Sequence, residues 1–432
     1  MKVGLISLGC DKNRVDAERM LYALSQNGYE ITDDLTEAEV IIVNTCAFIE
    51  DAKKEAIDNI FYAASLKENG KLLKLVVTGC FATRYAEEVR EELAEVDAFV
   101  PVANENDIAK IVNDLFENEN ETKYVCGRIL TTPPHYAYLK IADGCNNRCT
   151  YCAIPSIRGK YVSEPIEKLV KEAESLSLSG VRELILVAQD TTSYGKDIYG
   201  KPSLIPLLKE LVKLDFWKIR LLYTYPELVS DELIEFLDSE PKMAKYLDIP
   251  MQHADDDILK KMNRRNNSEY LYDMVNRIRK SKNHIAIRSS FIVGFPSETE
   301  KEYDKLKEFI KGRLDYAGFF EFSKEEGTPA YNMDGKVPKR VSKSRRLECE
   351  KLQCESTILW QDRLLGTEVE VIYEGIDYAK GKFYGRTEYC APTIDTLVYF
   401  TSDFPLLIGK TYKVKIEKNK FHLYGKAVKE DL

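Results

Sequence analysis

Three cysteines in the middle of the chain have the spacing of a metal-cluster site. Cys145, Cys149 and Cys152 form a CxxxCxxC pattern in the segment GCNNRCTYC, directly after a run that predicts a strand. Thiolates are soft ligands that suit iron–sulfur clusters. Three of them bind three irons of a cubane and leave the fourth iron open to a small molecule, unlike the four-cysteine sites of electron carriers. Three incidental thiols or an incomplete zinc knuckle are the alternatives, and the spacing favours the cluster.

Three further cysteines, Cys10, Cys46 and Cys80, are far apart in sequence but share a local setting. Each follows the end of an apolar run that predicts a strand, in the segments SLGC, VNTC and VTGC. The C-terminal ends of parallel strands share one edge of a sheet, so three loops from that edge can bring three thiolates together. A buried structural thiol is the alternative for any one of them. Three equivalent positions favour a second three-cysteine cluster.

The bulk composition is that of an ordinary globular protein. The chain has 432 residues, a net charge of −9, ten cysteines and four histidines. Clustered cysteines in a reducing compartment indicate metal ligation or catalysis rather than disulfides, and no histidine has the spacing of a mixed zinc site. Neither a bilayer-spanning apolar run nor a signal peptide is visible, so we expect a cytoplasmic protein without a membrane partner. The acidic balance argues mildly against a protein that coats nucleic acid.

Alternating strands and helices must position the N-terminal cysteines. Residues 1–126 predict a parallel α/β sheet domain with helices on its faces. The predicted strands are 2–7, 40–44 and 72–78, and the predicted helices are 16–26, 52–64 and 86–93. Consecutive threonines and prolines at 131–134 predict a linker into the next domain.

The alternation resumes over residues 134–337 and predicts a partial (β/α)6 barrel, whose chemistry lies at the C-terminal ends of its strands. The six predicted strands are 137–142, 183–188, 219–223, 246–249, 286–293 and 316–322. A linking helix is predicted over 338–365, with a basic beginning. Residues 366–432 change to short β-rich runs, which predict a small antiparallel β-barrel. These runs are 369–373, 397–400, 412–416 and 422–428.

The central loop, including the aromatic Tyr151, resembles the signature of the radical S-adenosylmethionine (SAM) superfamily. The resemblance implies a [4Fe–4S] cluster whose open iron is chelated by SAM, and reductive cleavage of SAM to a radical that abstracts hydrogen. It further implies SAM contacts at Gln189, Arg288 and Gly294, in segments similar to the SAM-binding elements of such barrels. Ordinary polarity at strand ends is the alternative for any one of these residues.

Two three-cysteine sites and a small barrel tail together resemble the radical SAM methylthiotransferase family, in which the tail is a TRAM domain. Membership implies two [4Fe–4S] clusters, SAM, and replacement of a C–H bond by C–S–CH3. It also implies an electron donor such as flavodoxin or ferredoxin. The radical cluster would act on the substrate, and the second cluster is implicated in delivering sulfur.

Shorter motifs resemble the RimO subfamily, which modifies the β-carbon of an aspartate in ribosomal protein S-twelve of the small subunit. The motifs are SLGCxKN from Ser7, NTCAFI from Asn44 and AIPSIRG from Ala153. Two departures are visible: Asp11 stands where the subfamily usually has proline, and Asp255 where serine is commoner. Neither residue is an expected cluster ligand.

The tail bears on the choice of substrate. Residues 366–432 hold equal numbers of acidic and basic residues, which suits a basic ribosomal protein better than tRNA and makes Asp395 a candidate substrate contact. A methylthiotransferase acting on an adenosine of tRNA is the alternative, and the basic start of the linking helix favours it. An electron carrier or RNA-binding protein without radical chemistry is a third class, which the absence of a fourth cysteine in both triads disfavours.

Overall fold

The computed structural model describes residues 1–118 and 121–429. The chain divides into two compact units. The first comprises Met1–Pro133, Ala142–Val162 and Ser323–Tyr331, and the second comprises Pro134–Ile141, Ser163–Phe322 and the described chain from Asn332 onward. All helices in the described ranges are too short or too polar to cross a membrane.

The first unit is built on a five-stranded parallel sheet in the order β2-β1-β3-β4-β5, as the alternation predicts. The strands are β1 (Lys2–Ser7), β2 (Glu30–Ile31), β3 (Val40–Thr45), β4 (Lys74–Gly79) and β5 (Ala98–Val100). The helices are α1 (Asp11–Gln26), α2 (Glu50–Asn69), α3 (Cys80–Val89) and α4 (Ile108–Leu115). Strand β3 is buried at every residue, because both faces of the sheet are covered.

The helix predicted over 86–93 is wrong in its position, since α3 begins at Cys80 and ends at Val89. Gly79 causes the difference. Its φ of +87° turns the chain directly from β4 into the helix, and a Cβ there would lie 2.4 Å from the carbonyl oxygen of Thr45. The chain therefore needs no loop between strand and helix, and Cys80 lies in the first helical turn.

The second unit holds a six-stranded parallel sheet in the order β13-β12-β11-β10-β9-β6, which confirms the partial barrel. Its strands are β6 (Tyr136–Lys140), β9 (Glu183–Val187), β10 (Lys218–Leu221), β11 (Met243–Asp248), β12 (Ala286–Val293) and β13 (Tyr316–Glu321). Between β6 and β9 the chain runs through β7 (Ala142–Asp143), α5 (Ile154–Arg158) and β8 (Val162–Ser163). The central cysteine loop thus follows the first barrel strand, as expected.

Helices connect the barrel strands and cover the sheet. They are α6 (Ile166–Leu178), α7 (Lys196–Tyr199), α8 (Leu204–Leu211), α9 (Asp231–Ser239), α10 (Asp256–Lys261), α11 (Ser268–Arg279) and α12 (Glu300–Ile310). The linking helix is α13 (Lys339–Gln361), followed by a 3-10 turn over Asp362–Leu364. Two of its leading basic residues have structural roles, because Arg345 pairs with Glu298 at 2.6 Å and Arg346 with Glu350 at 2.5 Å.

The C-terminal residues form a closed five-stranded barrel. Its strands are β14 (Glu368–Asp377), β15 (Lys382–Arg386), β16 (Val398–Thr401), β17 (Thr411–Lys420) and β18 (His422–Ala427). The prediction of a small barrel is confirmed, but it missed β15, and one neighbouring pair, β16 with β18, is parallel rather than antiparallel. Its core is apolar and centred on Val371, Phe400 and Ile416.

A fully buried ionic network fastens the C-terminal barrel to the six-stranded sheet. Glu183, at the start of β9, accepts from Arg220 at 2.7 Å and from Arg386 at 2.7 Å, and all three side chains are inaccessible to solvent. Burial alone would raise the pKa of Glu183, but Arg386 and Arg220 outweigh it and lower that pKa to about 2. The carboxylate is therefore ionised across the physiological range.

This network makes stability sensitive to acid. An unfolded glutamate has a pKa of about 4.3, so the contribution of Glu183 is complete above that value and is lost as pH falls toward about 2. We expect Glu183→Gln to lower the free energy of unfolding by about 3–5 kcal/mol at pH 7, since the buried guanidinium of Arg220 loses its carboxylate partner and that of Arg386 keeps only Glu374. Urea unfolding should show that the difference in free energy of unfolding between wild type and Glu183→Gln is smaller at pH 3 than at pH 7.

Glu210→Gln is the control, because Glu210 pairs with Lys213 on an exposed helical surface. Its expected effect is below about 0.5 kcal/mol at either pH. If the difference in free energy of unfolding between Glu183→Gln and wild type is equally large at pH 7 and pH 3, Glu183 does not have the lowered pKa that we assign to it.

Candidate iron–sulfur site

The central cysteine loop is held in one conformation by its own backbone. Cys145 donates its N–H to the carbonyl of Gly159 at 3.2 Å, and Cys152 donates to Cys149 at 3.1 Å. Gly144 has a φ of +75°, and a Cβ there would lie 2.2 Å from the carbonyl oxygen of Lys160, so only glycine fits. Cys149 is buried, whereas Cys145 and Cys152 are partly exposed. The loop presents three thiols from a preset backbone.

The register of the first sheet brings the N-terminal cysteines to one edge. Ser7 of β1 lies opposite Asn44 of β3, and Asn44 lies opposite Thr78 of β4. Cys10 follows Ser7 by three residues, and Cys46 and Cys80 follow Asn44 and Thr78 by two. A Cβ on Gly9 would lie 2.6 Å from Cys46 Cβ and 3.1 Å from its sulfur, so the first two loops are in close contact.

Side-chain amides and hydroxyls connect these three strand ends. Asn13 donates to the carbonyl of Thr45 at 2.9 Å, and Asn44 donates to the carbonyl of Asn13 at 2.8 Å. Thr45 donates to the carbonyl of Thr78 and accepts from the N–H of Phe81 at 3.2 Å. The polar groups beside the cysteines thus fix the loops relative to one another.

The N-terminal thiols are close enough to perturb one another. Burial raises the pKa of Cys80 to about 12, against the effect of Arg158, and Cys46 and Cys10 raise it further. Burial also raises the pKa of Cys46, and Cys10 adds to the effect. Two neighbouring thiols that resist ionisation, Cys46 and Cys80, are poor nucleophiles but suitable metal ligands, because a bound metal replaces their protons and removes the repulsion.

The donor set of each triad fits a cubane cluster. Each offers three sulfurs and no histidine, and thiolates are the usual protein ligands of such clusters. Among residues 1–118 and 121–429, no three His, Cys, Asp or Glu side chains converge on a point where they would all bind one ion. A cubane does not require such a point, since each thiolate binds a different iron.

In the second unit, strained backbone marks the C-terminal ends of the barrel strands. Tyr223, after β10, has a φ of +61°, and Gln252, after β11, has a φ of +72°. Non-glycine residues in this region store strain and cluster at functional sites. The predicted SAM contact Gln189 lies two residues after the end of β9, and Asp190 beside it caps the next turn by accepting from Ser193. These strand ends form the edge where barrel chemistry is expected.

The predicted SAM contact Gly294 lies in a turn that is held by an acid. Its N–H donates to both carboxylate oxygens of Glu298 at 3.0 Å, and Glu298 in turn pairs with Arg345 of α13. A Cβ on Gly294 would lie 2.0 Å from the hydroxyl of Ser342. The linking helix therefore buttresses this turn, and sequence reasoning missed that role.

Asp395 does not lie on the surface, as a substrate contact would require. Its side chain is 1% exposed and accepts from Tyr246 at 2.7 Å and from the N–H of Ala391 at 2.8 Å. Arg288 lies 3.4 Å from it and pairs with Asp248 at 3.2 Å. The expectation for Asp395 is wrong, because a count of charges does not tell a buried acid from an exposed one.

Both departures from the subfamily motifs lie at helix N-termini. Asp11 is the first residue of α1, where proline is common and an acid favours the helix dipole. Asp255 caps α10 by accepting from Asp257 and Ile258, as serine would. Each replacement keeps the local function of the usual residue.

Three family models match the chain. They are the uncharacterized protein family UPF0004 over residues 2–101, the radical SAM superfamily over residues 139–310 and the TRAM domain over residues 365–428. The first two cover the two cysteine triads, and the third covers the closed barrel.

Solved structures share the fold at low sequence identity. The radical S-adenosylmethionine methyltransferase TsrM from Kitasatospora setae matches 76% of each chain with a TM-score of 0.55 and 14% identity. The cobalamin-dependent S-adenosylmethionine radical enzyme OxsB matches 82% of this chain and 56% of its own, with a TM-score of 0.52 and 12% identity.

Relatives match along the whole chain. Proteins named ribosomal protein uS12 methylthiotransferase RimO are 44% identical in Lachnoclostridium phytofermentans, over 99% of this chain and all of theirs, and 44% identical in Geobacter sulfurreducens, over 99% and 98%. The Acetivibrio thermocellus protein of that name is 45% identical over 99% of both chains. Identity of this extent, over both cysteine triads and the closed barrel, shows that the chain is a transferase of the RimO family of radical SAM methylthiotransferases.

Proposed function

We propose that this enzyme inserts sulfur and a methyl group at the β-carbon of an aspartate in ribosomal protein uS12, the small-subunit protein S-twelve. The observation that carries the proposal is the match to relatives of that name over 99% of the chain. A ribosomal-protein substrate supports the cytoplasmic location that we propose.

The two cysteine triads have different roles in this proposal. Cys145, Cys149 and Cys152 would hold a [4Fe–4S] cluster with one iron left for SAM, and the backbone hydrogen bonds of the loop support this arrangement of thiols. When bound, that cluster would supply the one-electron chemistry that cleaves SAM and begins hydrogen abstraction from the substrate. Cys10, Cys46 and Cys80 would hold the second [4Fe–4S] cluster, which would supply sulfur. Flavodoxin or ferredoxin is the class of electron donor that we propose.

The predicted SAM contacts remain proposals. Tyr151 belongs to the cysteine loop of the first unit. Gln189 follows a strand end of the second unit, Gly294 lies in the turn held by Glu298, and Arg288 is oriented by Asp248.

Charge balance in the tail does not select the substrate. Among its charged residues, Asp395 and Arg386 are buried and Glu374 is nearly so, and Glu430 and Asp431 lie outside the described residues. The exposed surface therefore differs from the sequence count. Family membership, rather than charge, favours uS12 over an adenosine of tRNA.

Substrate identity is tested by incubating the anaerobically reconstituted enzyme with SAM, a reductant and either uS12 or tRNA. We expect mass spectrometry of uS12 peptides to show a methylthio group in place of one hydrogen on a single aspartate. A uS12 variant with that aspartate changed to alanine is the control and should remain unmodified. Modification of tRNA with no change in uS12 would overturn the proposal.

A further inference from the structure

Arg158 contacts elements that carry both cysteine triads. Its side chain is 1% exposed and pairs with Asp16 of α1 at 3.0 Å and with Asp143 of β7 at 2.8 Å. It also donates to the side-chain oxygen of Asn13, and it lies close enough to Cys80 to act against the rise in the pKa of that thiol. One guanidinium thus uses its several donors on three different side chains.

The partners of Arg158 lie beside the cysteines in sequence. Asn13 follows Cys10 by three residues on the first turns of α1, and Asp143 precedes Cys145 by two. The residue after Arg158, Gly159, accepts the N–H of Cys145. Arg158 is therefore joined to the start of the central loop through Asp143 and to the first turns of α1, directly after Cys10, through Asn13 and Asp16, all within the first unit.

A buried cation next to a cluster sulfur has a definite effect. Hydrogen bonds and positive charge at the sulfurs favour the more negative, reduced state of an iron–sulfur cluster, and thereby raise its reduction potential. The two carboxylates that pair with Arg158 hold it in place and keep it ionised. Arginine suits this position because its planar guanidinium group can donate hydrogen bonds to several acceptors at once.

We propose that Arg158 is a positioning residue of the N-terminal cluster, which links the first turns of α1 to the central loop and raises the reduction potential of the cluster bound by Cys10, Cys46 and Cys80. The inference rests on the second cluster of the proposed function. A purely structural ion pair is the competing explanation, and it predicts a loss of stability with no change in potential.

The experiment isolates the N-terminal cluster in the full-length chain. Cys145, Cys149 and Cys152 are all changed to alanine, the protein is reconstituted anaerobically, and its reduction potential is measured by EPR-monitored titration. Arg158→Gln removes the positive charge. Arg158→Lys keeps the charge but replaces the planar guanidinium, with its several donors, by a single ammonium group. Arg128→Gln is the matched control, because Arg128 is 4% exposed and pairs with Glu18 of the same helix at 2.6 Å.

We expect a more negative potential in Arg158→Gln, a smaller shift in Arg158→Lys and no shift in Arg128→Gln. If Arg158→Gln does not fold, the shift in reduction potential of Arg158→Lys tests the inference instead. An unchanged potential in the folded Arg158 variants, or an equal shift in Arg128→Gln, overturns the inference alone. If the triple alanine variant of Cys145, Cys149 and Cys152 contains no iron while Arg158 is unchanged, there is no second cluster, and both the proposed function of that cluster and this inference are wrong.

Discussion

Cys149→Ala is expected to abolish release of 5′-deoxyadenosine from SAM, with a loss of more than about 100-fold. Substitution of a residue that only supports a metal ligand costs about 10–100-fold in metal affinity or activity. Cys149→Ala removes a proposed ligand itself, at a buried position of the loop. The measurement is chromatographic quantification of 5′-deoxyadenosine after reduction of the reconstituted protein with SAM.

Cys126→Ala is the matched control for this loss. Cys126 belongs to the same unit but is exposed and outside both triads, so its removal should leave SAM cleavage unchanged. Sustained 5′-deoxyadenosine release in Cys149→Ala would overturn the assignment of the central triad.

Cys46→Ala is expected to separate SAM cleavage from sulfur insertion. The substitution removes one proposed ligand from the N-terminal edge but leaves the Cys145–Cys152 loop intact, since that loop is held by its own backbone hydrogen bonds. We expect 5′-deoxyadenosine release to continue while methylthio product on uS12 falls by more than about 100-fold. Both products are quantified in the same reaction mixture.

The informative comparison is the ratio of the two products. A general folding defect would lower both together, and far-UV circular dichroism would reveal it. Undiminished methylthio product in Cys46→Ala would show that the N-terminal thiols take no part in sulfur delivery.

The placement of the N-terminal cysteines at one edge of the sheet was the most predictable feature of the molecule. In a parallel sheet all strand ends meet at one edge, so the positions of Cys10, Cys46 and Cys80 after apolar runs predicted their convergence without any knowledge of contacts. The register of β1, β3 and β4 then follows from continuous apolar strands that are buried on both faces.

Other features depend on contacts between distant parts of the chain. The side chain of Asp395 is buried because the segment after β15 packs on Tyr246 and Arg288, more than 100 residues earlier. Arg158 belonged to a recognised motif, but its partners Asp16 and Asn13 are distant in sequence. The strand β15 escaped prediction because lysine, glycine and arginine obscure its alternation. Sequence patterns report local periodicity, whereas these features depend on tertiary neighbours.

The central claim is that one chain holds two cubane clusters. Iron and sulfide analysis of the anaerobically reconstituted wild-type protein tests it most directly, with the triple alanine variant of Cys10, Cys46 and Cys80 and that of Cys145, Cys149 and Cys152 measured alongside. We expect about eight irons per chain in the wild type and about four in each triple variant. About four irons in the wild type, with none in one of the triple variants, would contradict the account.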